Sequence, residues 1–153
     1  MIDLRILFVS MSSFFASGSE NSVELQKNTA ISTCQKIFDK NLNIDVYSVV
    51  TKIPSFPGGP AGWQRFLAKN FQYPKDQITN ETYQTSSIAT FIVKSSGELT
   101  SLSIKGKSFS QWTSLDSSFI AVIKKSGRWV PGECDGKIVA TFMEQPLNVD
   151  IER

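Results

Sequence analysis

Between Pro54 and Pro74 the chain reads PSFPGGPAGWQRFLAKNFQYP. Its apolar residues Trp63, Phe66, Leu67 and Phe71 recur at i, i+3, i+4 and i+8, with Gln64, Arg65, Lys69 and Asn70 on the other side. This spacing predicts one amphipathic helix. Gly58 and Gly59 permit a tight turn into it, and Pro60 suits a first helical turn because its missing N–H would have no partner there. Pro74 disfavours helical geometry at Tyr73 and ends the run. A second helical pattern follows later: Asp116 as N-cap, an apolar face of Phe119, Ile120, Val122 and Ile123, then Lys124 and Lys125 ahead of Gly127.

Other segments carry strand patterns. Residues 87–93 (SIATFIV) are rich in β-formers, and the loop Lys94-Ser95-Ser96-Gly97 leads into residues 98–104, so an antiparallel hairpin is expected. After the Asp135-Gly136 corner, Lys137, Ile138, Val139, Ala140, Thr141, Phe142 and Met143 predict a third core strand. Pro146 is expected to limit its pairing, leaving Leu147, Val149 and Ile151 as a short continuation. Upstream, residues 44–50 alternate as an extended arm or edge strand. Residues 19–40 read as helical, with Val23, Ala30, Ile31, Cys34, Ile37 and Phe38 largely on one stripe. Residues 106–112 read as loop. The order of arm, helix, hairpin, helix and strand predicts a small α+β domain with its helices on one face of an antiparallel sheet.

Composition narrows the function more than the fold. The 153 residues, 41% hydrophobic and 20% charged, suit one globular domain with a short extension. A net charge of +2, with lysines spread along the chain, argues against a nucleic-acid partner. Histidine is absent, which removes the usual general base and the commonest zinc ligand. Cys134 lies between Glu133 and Asp135 with no evident base beside it, and no serine sits in a nucleophile elbow. No enzyme activity, cofactor, metal or small-molecule substrate is therefore expected. Residues 1–18 (MIDLRILFVSMSSFFASG) have the layout of a secretory signal with cleavage before Ser19, which would place the protein in the periplasm or outside the cell. The other reading is a buried N-terminal segment. The apolar run is shorter than the ~20 residues of a membrane span. Cys34 and Cys134 either pair, closing a long loop, or stay as two partly buried thiols; sequence leaves both open.

Taken in order, several motifs resemble one family. They are Phe56-Pro57-Gly58-Gly59, the helix with Trp63 and Leu67, Tyr73-Pro74, Phe91-Ile92-Val93 with Gly97, Leu115-Asp116, Trp129-Val130-Pro131-Gly132, Gly136 to Val139, and Pro146. The combination is similar to the TonB C-terminal domain of Bacteroidetes-type proteins and covers residues 46–149. The resemblance implies two helices packed on a three-stranded antiparallel sheet, here over residues 44–153, with 19–43 as a helical N-terminal extension. It also implies a periplasmic interaction module, linked to transmembrane transport, that captures an extended peptide of an outer-membrane receptor by strand addition. The matching edge is Lys137 to Met143, with Gln145 to Val149 beyond it. Thr85 replaces the family's glycine, Ser118-Phe119 replaces an acidic-alanine pair, and residues 19–44 are short and apolar beside the family's spacer. The expectation is a divergent copy that does not transduce energy by itself. The alternative is a structural or assembly subunit, in which the same edge pairs with a second copy or is covered by the N-terminal helix.

Overall fold

The computed structural model describes residues 3–5, 33–75 and 83–152. Both helical spacings form helices. In α1 (Gly59–Asn70) the preceding Gly58 and the first residue Gly59 take φ of 84° and 64°, left-handed values that residues with a Cβ rarely adopt. Pro60 lies in the first turn, and the Phe71 N–H returns to the Leu67 carbonyl at the other end. α2 (Ser114–Lys125) starts with a reciprocal capping box. The Asp116 N–H donates to the Thr113 hydroxyl, and the Thr113 N–H donates to the Asp116 carboxylate. Thr113 is thus the N-cap, not Asp116 as the spacing suggested.

The strands are β1 (Asp3–Arg5), β2 (Gln35–Asp39), β3 (Ile44–Val49), β4 (Tyr83–Val93), β5 (Leu99–Ile104), β6 (Gly132–Cys134), β7 (Lys137–Val139) and β8 (Thr141–Glu152). Five of them form one mixed sheet in the order β2-β3-β8-β4-β5, with β1 paired to the far end of β8; β6 and β7 form a separate hairpin. The architecture is α+β. The expected three-stranded sheet is corrected in two ways. First, residues 35–39, read as the end of an N-terminal helix, are strand β2 in a hairpin with β3. Val46 and Ile44 of that hairpin close over Ile92, with Leu42 and Ala140, as a small second core. Second, Lys137 to Met143 is not one strand. It breaks at Ala140, between β7 and β8, and β8 then pairs with β4 without interruption from Thr141 to Ile151, straight through Pro146. The signal-sequence reading of residues 1–18, apart from Asp3–Arg5, and the helical reading of 19–32 fall outside the described residues.

The main core lies on one face of the sheet. Ala89, Phe91 and Val93 of β4 alternate inward, Leu147 and Val149 of β8 join them, and both helices cover this face with Trp63, Leu67, Leu115, Phe119 and Ile123. Trp129, after α2, completes it. Its backbone N–H bonds the Gly97 carbonyl at 2.9 Å and its indole N–H bonds Ser126 Oγ at 2.9 Å.

Candidate strand-binding edge and groove

β8 lies between unequal neighbours. On one side β4 pairs with it over eleven residues. On the other, β3 runs parallel and meets it only at Tyr47 and Thr141, and β1 meets it only at Asp150 to Glu152. Between these two contacts, no described strand is in register with that edge around Glu144.

Backbone alternation shows which groups face the gap. The Ala140 carbonyl accepts the Tyr47 N–H at 2.8 Å, so even-numbered residues of this segment turn their backbone groups away from β4. The Lys105 N–H bonds the Ile88 carbonyl at 2.9 Å, so even-numbered β4 residues face β5 and odd-numbered ones face β8. The two observations agree, since the register pairs Phe91 with Met143 and Ala89 with Gln145. The Glu144 N–H and carbonyl and the Pro146 carbonyl therefore face the open side. A proline is tolerated inside β8 for the same reason: the N–H it lacks would not have pointed at β4.

The arm that follows β3 explains the gap. Instead of continuing along β8, it is drawn towards β6. The Lys52 N–H donates to the Glu133 carbonyl at 3.0 Å, the Lys52 carbonyl accepts the Glu133 N–H at 2.9 Å, and Ser55 and Val130 exchange the same pair of bonds at 3.0 and 2.8 Å. Lys52 Nζ adds an ion pair to Glu133 at 2.8 Å. Gly132 permits this approach, because a Cβ there would lie 2.3 Å from Thr141 Oγ1 and 3.2 Å from the Lys52 carbonyl. Cys34, just ahead of β2, is disulfide-bonded to Cys134 at the end of β6. Of the two readings left open by the sequence, the structure carries the paired one. Asp135 lies beside it, but with the sulfurs bonded to each other no thiolate is offered to a metal ion.

What remains between arm and strand is a groove of about 400 Å³. Ile53, Pro54 and Ser55 form one wall, Met143 to Pro146 the other, and Phe56, Trp63 and Trp129 the floor. The floor is a packed aromatic cluster, with Phe56 5.4 Å from Trp63 and 5.8 Å from Trp129, and the two tryptophans 5.3 Å apart. The Trp63 indole N–H is buried with no partner among the described residues.

The residues singled out in the sequence separate into two groups. Phe56, Trp63 and Trp129 come together as the groove floor; Leu67 is fully buried, Phe71 caps α1, and Tyr73, Pro74 and Pro131 are half-buried around them. Pro57, exposed itself, places its carbonyl against Gly62, where a Cβ would lie 2.5 Å away. Of the expected edge strand, Thr141, Phe142, Met143 and Gln145 belong to β8, but Lys137, Ile138 and Val139 sit in the β6-β7 hairpin, with Ile138 exposed. Sequence reasoning missed Glu144, Ile53 and Pro54. Pro146 inside an otherwise continuous β pattern was the available signal for an open edge.

Comparison with known protein families, with curated proteins and with solved structures finds no match to this chain. Among the described residues, no helix is long and apolar enough to cross a membrane.

Proposed function

We propose that this protein is an interaction module that captures an extended peptide segment by adding it as a strand along the open edge of β8. The observation that carries this reading is the stretch around Glu144, beyond the β3 contact, which no described strand pairs and which is bordered by an apolar groove. The resemblance to the TonB C-terminal domain supplies the partner class, an extended segment of an outer-membrane receptor, and with it a periplasmic setting and a link to transport. The match is looser than the motifs alone suggested, since the edge begins at Thr141 and the sheet carries an additional hairpin.

Magnitudes favour a weak, side-chain-assisted complex. The edge offers the Glu144 N–H and two carbonyls, and each backbone bond contributes about 0.5–1.5 kcal/mol net. Association costs at least about 4 kcal/mol in lost freedom. Burial of apolar side chains must supply the balance, at about 1.5–3 kcal/mol for each one fully buried.

A backbone amide NMR titration with a peptide from the periplasmic segment of a TonB-dependent receptor tests the reading. Saturable shifts centred on Met143 to Leu147 are expected. Shifts absent there, or confined to β5, would overturn it.

One observation favours a second reading, an assembly subunit. β2 ends the sheet, and its Ile37 and Phe38 are 67% and 56% exposed on opposite faces. Its Lys36 charge is already held by Asp45. On this reading two copies join β2 to β2, and Ile37→Lys converts a concentration-dependent dimer to a monomer in sedimentation velocity. A wild-type chain that is monomeric at every concentration removes it.

A further inference from the structure

Strand addition, on which this inference rests, leaves the content of the groove unassigned. Alternation fixes it. A strand laid along β8 continues the same pleat, so every second side chain points to the face of Met143 and Gln145, and the others to the face of Phe142 and Glu144. At this level the Met143 face is the groove, with Ile53 and Pro54 opposite Met143 and the Phe56, Trp63 and Trp129 rings beneath. Its volume of about 400 Å³ is in the range that holds small ligands or large side chains.

The lining is selective by chemistry. Glu144 is the charged residue among those lining the groove, and its carboxylate is held by Lys105 at 2.8 Å. A charged side chain entering the groove would lose water and meet no unpaired opposite charge, only neutral polar groups such as Gln145 and the Trp63 indole N–H. An aromatic or branched aliphatic one would meet Ile53, Met143 and three aromatic rings. Its neighbours on the captured strand would lie over the other face, where Phe142 is part-exposed and Glu144 is already paired.

We infer that the groove is the specificity pocket of the captured strand, taking a large uncharged apolar side chain, while the flanking residues are read through their backbone. The class of partner is thus an extended segment with an aromatic or branched aliphatic residue at one fixed register.

Peptides of alternating Thr and Xaa, with Xaa as Phe, Leu, Ala or Glu, test this when titrated into the full chain. Two signals are followed: tryptophan emission, which senses Trp63 and Trp129 on the floor, and the Glu144 amide shift, which senses pairing. The Phe and Leu peptides are expected to bind about tenfold or more tightly than the Ala peptide, and the Glu peptide more weakly than Ala. Ile53→Glu, placed on the wall at a side chain that is 70% exposed, is expected to bring the Phe peptide down to the level of the Ala peptide. Equal affinity for Phe, Ala and Glu, with Glu144 shifting in all three, would overturn the pocket and leave strand addition standing. No response of either signal to any peptide would overturn both.

Discussion

Asp116 is 1% exposed because its charge is met from several directions. Lys107 Nζ lies 2.6 Å from one carboxylate oxygen, which also accepts the Thr113 N–H at 2.9 Å, and Ser87 Oγ donates to the other at 2.7 Å. Burial pushes the carboxyl up, but Lys107, the Thr113 backbone, Ser87 and the Thr113 side chain outweigh it and hold the group below its ordinary 3.8. A folded value below the unfolded one gives stability that is complete above pH 3.8 and is lost as pH falls through the lowered folded value. Asp116→Asn keeps the shape and removes the charge. It is expected to cost about 1–3 kcal/mol at neutral pH and to flatten the acid limb of stability, so that the two proteins converge in strong acid. Urea unfolding across pH checks both, and parallel pH profiles would contradict the assignment.

Elements with local causes were legible in the sequence. The i, i+3, i+4 spacing of Trp63, Phe66 and Leu67 and the apolar face from Phe119 to Ile123 lie where α1 and α2 form, and the loop before Glu98 joins two paired strands. Elements decided by distant partners were not. β2 has only five residues, and its Ile37 and Phe38 fit a helical stripe with Cys34 as well as they fit a strand; pairing with β3 and the disulfide to β6 decide the outcome. Pro146 reads locally as a pairing limit, and only the identity of the open edge shows why it is not one. The cost of a proline in β8 should therefore depend on parity. Gln145→Pro removes an N–H aimed at β4 and is expected to cost about 3 kcal/mol or more, whereas Glu144→Pro removes one aimed at the gap and is expected to cost clearly less. Thermal unfolding of the two variants decides, and equal losses would mean that the edge is paired on both sides.

At the scale of the molecule, the groove depends on how the N-terminal hairpin and the arm are held against β6. The Cys34–Cys134 disulfide spans a sequence separation of 100 and ties the beginning of that hairpin to the strand that carries the arm. Replacing both cysteines by serine is expected to lower stability by up to about 4 kcal/mol through the larger freedom of the unfolded chain, an effect that reductant should reproduce in the wild type. Urea midpoints with and without reductant check it, and identical midpoints would show that the bond does not constrain the chain. The same tie keeps Ile53 and Pro54 opposite Met143, so the reduced protein is also expected to bind the Phe peptide more weakly.

Amide hydrogen exchange of three consecutive residues, Met143, Glu144 and Gln145, reports whether the β8 edge is open. An open β8 edge predicts slow exchange at Met143 and Gln145, which bond to β4, and fast exchange at Glu144, which slows when an extended peptide is added. Slow exchange at Glu144 in the free protein would mean that the edge is already covered and would contradict the account.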